Sequence, residues 1–157
     1  MSAIEIQRRQ DPSAVERILH SLPEWFGIEE AVAAYVSSAS RQDSFVAVVN
    51  EMTVGIALLQ RRFRESAELT LIAIDAEHRG DGIGRALLDG LESALIADGC
   101  QLLQVHTVGP SIEDAAYAQT RAFYLKAGFL PVQEFDGIDW AGPTLVLVKP
   151  LAPKSAR

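Results

Sequence analysis

The amino-acid sequence predicts a single mixed α/β domain of the α+β kind, with a mostly antiparallel sheet of about seven strands flanked by about four helices. Three observations carry that expectation. At 157 residues the chain is one domain long, with no internal repeat and no linker to divide it. Strand-like and amphipathic helical runs follow one another in the order β-α-α-β-β-β-α-β-α-β-β. Three strand-like runs come in succession, the first two joined by a short turn, as in an antiparallel meander.

Ala3 to Arg8 reads as the first strand. Asp11-Pro12 then sets a helix start, with Asp as the cap and Pro in the first helical position, where no N–H is needed. This helix carries Val15, Ile18, Leu19 and Leu22 and stops at Pro23. Trp25-Phe26-Gly27 forms an apolar elbow before a second helix from about Ile28 to Ser38. Phe45 to Val49, Val54 to Arg61 and Glu68 to Ile74 are successive strands, with a turn around Asn50-Glu51 joining the first two. Gly80 to Gly84 opens a long helix whose Ile83, Leu87, Leu91, Ala94 and Leu95 recur on one face, and Gly99 ends it. Leu102 to Val108 is the next strand. Ala115 to Ala127 is a helix that Gly128 closes as a left-handed cap. Phe129 to Phe135 and Thr144 to Val148 are the last strands. Residues 1–157 are expected to form one domain, with a flexible tail over 150–157.

Composition narrows the function. Apolar residues make up 48% of the chain and charged ones 22%, as in an ordinary soluble globular protein. A net charge of −7 argues against a nucleic-acid partner, which would call for a basic stripe. Cys100 is the only cysteine, so no internal disulfide forms. The N-terminus alternates charged and apolar residues with no signal-peptide core, and no apolar run approaches the roughly 18 residues of a membrane span. The expectation is a cytoplasmic protein that does not enter a membrane. His20, His78 and His106 are scattered without metal-ligand spacing, so exposed or structural roles are expected and no metal. There is no G-x-S-x-G, and Cys100 has no histidine near it in sequence, so nucleophilic catalysis has no support.

The most informative stretch is Ile74-Asp75-Ala76-Glu77-His78-Arg79-Gly80-Asp81-Gly82-Ile83-Gly84-Arg85, where a strand runs through a glycine-rich turn into a helix. Such a turn points several backbone N–H groups into one concavity, and the helix dipole adds positive potential there. It is an anion-binding loop on physical grounds. A P-loop is excluded because no Lys-Ser or Lys-Thr follows Gly84. A dinucleotide-binding loop is excluded because its glycine spacing is not met and the strand Leu102-Leu103-Gln104-Val105 ends without an acid. The pattern that is met is R-x-x-G-x-G, by Arg79, Gly82 and Gly84. About 40 residues downstream, Thr120-Arg121-Ala122-Phe123-Tyr124-Leu125-Lys126-Ala127-Gly128-Phe129 is a helix ending in Tyr and then Gly-Phe.

In these two motifs, their order and the order of elements, the chain resembles the GNAT superfamily of acyl-CoA-dependent N-acetyltransferases from Ala3 to about Leu151. The resemblance implies an N-acetyltransferase that moves an acetyl group directly from acetyl-CoA (coenzyme A) to a primary amine, without an acyl-enzyme or a metal. The acceptor would be a small-molecule or peptide amine, and the assembly could be a homodimer. It further implies that Arg79, Gly80, Asp81, Gly82, Ile83, Gly84 and Arg85 hold the pyrophosphate. Ile72, Ile74, Thr120 and Phe123 would line the rest of the cofactor's path, and backbone N–H groups near Ile74 would polarise the thioester. Tyr124 would give a proton to the sulfur. Glu68, on the strand eleven residues before Arg79, would be the base, directly or through water. Alternation places Glu68 on one face with Thr70, Ile72 and Ile74, and Leu69, Leu71 and Ala73 on the other. Tyr117 stands where many members have the Asn that contacts the pantetheine arm, and Thr107 or Ser111 are candidates to replace it. Trp25, Phe26 and Tyr35 suit either core packing or the wall of an acceptor pocket. A silent acyl-CoA-binding sensor or regulatory module would need the loop but neither Glu68 nor Tyr124. A simple nucleotide or phosphate binder is a third reading.

Overall fold

The computed structural model describes residues 3–152. Its elements follow the expected order: β1 (Glu5–Arg8), α1 (Pro12–His20), α2 (Glu29–Ala39), β2 (Asp43–Val49), β3 (Met52–Phe63), β4 (Ser66–Ile74), α3 (Ile83–Ala97), β5 (Leu102–Val108), α4 (Ala115–Lys126), β6 (Leu130–Asp136) and β7 (Pro143–Pro150). A 3₁₀ turn at Ala76–His78, not foreseen from the sequence, precedes α3. α1 starts where the Asp-Pro pair places it, because the Asp11 carboxylate accepts the Ala14 N–H at 3.2 Å. Asn50 and Glu51 take φ of 50° and 68°, the left-handed pair that a tight two-residue hairpin requires.

The strands form one sheet in the order β1-β2-β3-β4-β5-β7-β6. β4 and β5 are parallel, and every other neighbouring pair is antiparallel. α1 and α2 cover one face through Ile18, Leu19 and Val32 against Ile56, Leu58 and Leu71. On the other face Leu87, Leu91 and Leu95 of α3 and Tyr124 of α4 join Leu103, Phe129 and Leu147. The result is three layers with the sheet between two apolar cores. The expected tail begins later than Pro150. Pro150 still pairs with Leu102, and the Leu151 N–H donates to the Gln101 carbonyl at 2.8 Å while its side chain enters the core. Residues 153–157, the remainder of that expected tail, lie outside the described residues.

Two departures from regular pairing shape the site. Leu58 of β3 faces Leu71, but the adjacent Leu59 faces Leu69, so Thr70 is an extra residue in β4. This bulge corrects the face assignment made by alternation. Ala67, Leu69, Ile72 and Ile74 all pack toward α3, whereas Leu71 and Ala73 pack toward α1 and α2. Glu68, between Ala67 and Leu69, therefore belongs to the α1–α2 side and not to the face of Ile72 and Ile74. The second departure is a splay. β4 and β5 pair only from Ser66–Leu69 to Leu102–Val105. Beyond that point β4 continues with β3 to Ile74, and β5 continues with β7 to Val108. Among the described residues, the edge of β4 that follows the bulge keeps its N–H and C=O groups without a strand partner.

Candidate active site

The splay opens a cavity of about 730 Å³. Ile72 and Ile74 of β4, His106 to Val108 of β5, the loop into α3, and Thr120, Phe123 and Tyr124 of α4 line it. Trp25, Phe26 and Tyr35 close it from the α1–α2 side, and Asp139 and Trp140 from the loop between β6 and β7. Those three aromatics also pack against the α1–α2 core, so the same side chains serve core packing and line the cavity.

The helix end that faces the cavity has a geometry that suits an anion. Gly82 caps α3 in the left-handed region, with φ 81° and no side-chain cap bond. Gly80 is likewise left-handed at φ 85°. A Cβ at either would meet nothing within 4 Å, so it is backbone conformation, not space, that demands glycine there. Gly84 differs: a Cβ would stand 3.1 Å from the Phe123 ring, so glycine lets α3 approach α4. The first helical bond runs from the Ala86 N–H to the Gly82 carbonyl at 3.1 Å, which leaves the N–H groups of Ile83, Gly84 and Arg85 without a partner among the described residues, at the positive end of the dipole. Arg79 lies over the Trp25 ring, 4.5 Å from its centroid, and Arg85 reaches Asp89 at 3.3 Å. Asp81 is exposed and does not line the cavity, alone among the residues expected around the cofactor.

Thr120 and Tyr117 fasten α4 to the elbow between α1 and α2. The Trp25 Nε1 donates to Thr120 Oγ1 at 3.0 Å and to the Ala116 carbonyl at 3.1 Å. The Tyr117 hydroxyl donates to the Trp25 carbonyl at 3.1 Å. Of the two candidates to replace the missing Asn, Thr107 lines the cavity, whereas the Ser111 hydroxyl is engaged by Glu134 at 2.6 Å.

Tyr124 is 5% exposed and packs edge-on against Phe123 and Phe129, with ring centroids 5.6 and 5.4 Å away. Its hydroxyl bonds to no described residue although its ring lines the cavity. Burial pushes this phenol far up, with the nearby Tyr35 adding to it, so it stays protonated at physiological pH.

Glu68 stands differently from the expectation. It is buried and does not line the cavity, and Arg62 donates to Oε1 from Nε at 3.1 Å and also from Nη2. The titratable group between Glu68 and the cavity is His106. Its Nδ1 lies 4.0 Å from Glu68 Oε2 and 2.8 Å from Asp139 Oδ2. From the sequence His106 is expected to have an exposed or structural role, and Asp139 is not singled out. The parallel register sets Glu68 beside Gln104, so His106, two residues on, shares its face, and sequence spacing does not show that register.

His20 pairs with Glu29 at 2.9 Å, away from the cavity, and His78 lines the cavity wall. Among the described residues no group of three or more His, Cys, Asp or Glu is gathered to hold a metal ion. No described helix is long and apolar enough to cross a membrane.

A family model described as an acetyltransferase (GNAT) domain matches residues 40–131, more than half of the chain. No curated protein matches the chain in sequence. Among solved structures, one assigned to the acetyltransferases of the GNAT family, from Desulfovibrio desulfuricans, is 24% identical with a TM-score of 0.78, over 96% of this chain and 100% of that one. The ribosomal-protein-S18-alanine N-acetyltransferase from Escherichia coli is 22% identical with a TM-score of 0.72, over 100% and 99% of the two chains. A GNAT family acetyltransferase from Elizabethkingia anophelis, solved with acetyl-CoA bound, is 18% identical with a TM-score of 0.68, over 94% and 98%. At these identities the likeness is one of fold.

Proposed function

The chain belongs to the GNAT acetyltransferase family, and on that premise we propose that it is an N-acetyltransferase moving an acetyl group from acetyl-CoA to the primary amine of a small molecule or peptide by direct transfer. One observation carries this reading: the splayed edge of β4 runs toward the uncapped end of α3, with a protonated phenol on the opposite wall. A pyrophosphate fits that helix end, where three N–H groups have no partner among the described residues and Arg79 and Arg85 stand nearby.

Amide formation needs a neutral amine, stabilisation of the charge that develops on the thioester oxygen, and a proton for the departing sulfur. The residues supply one group for each. The free N–H groups of β4 near Ile74 polarise the carbonyl, while Ile72, Thr120 and Phe123 hold the arm that leads to it. Tyr124 gives its proton to sulfur. Glu68, which does not line the cavity, supplies a negative charge behind the wall that favours loss of a proton from the amine. The cytoplasmic location expected from the sequence suits an enzyme that draws on acetyl-CoA.

Thiol release from acetyl-CoA, measured across primary amines, amino-terminal and lysine peptides and aminoglycosides, tests the reading. The expected result is amine-dependent release of free thiol. Tight binding of acetyl-CoA with no turnover across the panel would make the chain a silent sensor instead.

A further inference from the structure

A carboxylate does not take a proton from an amine that it does not reach. Glu68 is held behind the cavity wall by Arg62, whereas His106 is on the wall itself. Resting on the acetyl-transfer reading, we propose that His106 is the catalytic base: its Nε2 takes the proton from the acceptor amine, and Asp139 is the residue that positions it.

Hydrogen-bond geometry decides which nitrogen is free. His106 Nδ1 lies 2.8 Å from Asp139 Oδ2, and an ionised carboxylate only accepts, so in the neutral ring the proton sits on Nδ1. Nε2 then carries the lone pair, and no described residue bonds to it. The ring is enclosed but not sealed, at 22% side-chain exposure.

Charged and titratable groups from several elements face His106. Asp139 comes from the β6–β7 loop and Glu68 from β4, its Oε2 4.0 Å from Nδ1. Arg62 is bound to the other oxygen of Glu68. Tyr35 of α2 faces the same group; burial raises its phenol first, and Tyr117, Asp139 and Glu68 add to that, so it remains neutral. Two carboxylates against one guanidinium leave a net negative charge around the imidazole, which suits an acceptor that arrives as an ammonium ion.

The step balances. His106 Nε2 removes one proton from the ammonium and passes it to solvent. The freed nitrogen pair forms the bond to the acetyl carbon as the carbon–sulfur bond breaks, its electron pair leaving on sulfur. Tyr124 protonates the sulfur, and the second proton lost by the nitrogen restores the tyrosine.

The test combines His106→Gln, His106→Ala and Asp139→Asn with acetyl-CoA and the amines that the wild type acetylates, benzylamine and an amino-terminal alanine peptide among those assayed. His106→Gln should lower kcat by about 10²–10⁴-fold, with the affinity for acetyl-CoA unchanged by calorimetry. Added imidazole should restore part of the rate to His106→Ala. Nitrogen NMR should show the His106 ring protonated on Nδ1 in the wild type and shifted toward the Nε2-protonated form in Asp139→Asn. An active wild type whose kcat and pH profile survive in His106→Gln overturns the proposal alone, as does an Nε2-protonated ring in the wild type. A wild type that neither binds acetyl-CoA nor releases thiol with any amine overturns the acetyl-transfer reading, and this proposal with it.

Discussion

Tyr124 carries a hydroxyl that bonds to no described residue, inside a ring that is almost wholly buried. Tyr124→Phe therefore removes a reactive group without breaking an internal hydrogen bond. Thiol-release kinetics should show kcat falling roughly 10²-fold, the lower part of the general-acid range, because a thiol of pKa about 8.5 leaves tolerably without help. Calorimetry should show the affinity for acetyl-CoA retained. A collapse of binding with normal turnover of bound substrate would make Tyr124 a packing residue. For Glu68, the Gln variant keeps an oxygen for Arg62 but loses the charge near His106. Its kcat should drop by about 10²-fold with a changed pH profile, and a profile equal to the wild type would show that the Glu68 charge does not assist the base. Tyr124 was legible in the sequence because a helix ending in Tyr before Gly-Phe is a local pattern. His106 was not, because its partner lies 33 residues away in a loop with no periodicity of its own.

Helix and strand boundaries were readable where a local cap decides them. Asp11 bonds the Ala14 N–H, and it also accepts from Thr53 Oγ1 at 3.0 Å and Arg9 Nη1 at 3.2 Å, so one carboxylate ties α1 to the start of β3. Burial pushes this carboxyl up, but the bonds from Ala14, Thr53 and Arg9 outweigh it and hold it below its ordinary range. Asp11→Ala should cost about 1–2 kcal/mol of unfolding free energy near neutral pH, by urea denaturation. A lowered folded-state pKa contributes stability above the unfolded carboxylate value, about 3.9, and loses it as pH falls through the folded one. The gap between wild type and variant should therefore shrink below about pH 4; a gap independent of pH would show that the charge does not matter. The β4 bulge was not readable. Thr70 fits a strand as well as its neighbours do, and only pairing with Leu58 and Leu59 reveals the extra residue. Assuming strict alternation consequently put Glu68 on the wrong face.

Across the whole molecule, the order of elements followed from local periodicity and from punctuation such as Gly99 and Gly128, both left-handed in the structure. The neighbours in the sheet did not. Insertion of β7 between β5 and β6 and the parting of β4 from β5 depend on contacts between distant segments. The glycine loop announced an anion site, yet its cavity exists only because that parting lies beside the loop. The central claim is that acetyl-CoA occupies this cavity with its pyrophosphate at the start of α3. Calorimetric titration of acetyl-CoA into wild type and Gly82→Val, with circular dichroism to confirm folding, tests it most directly. Valine at φ 81° brings strain of about 1–3 kcal/mol, which the loop relieves by moving its N–H groups. The account predicts binding by the wild type and a loss of about tenfold or more, 1.4 kcal/mol, in the folded variant. No binding by the wild type, or equal affinity in both, would contradict it.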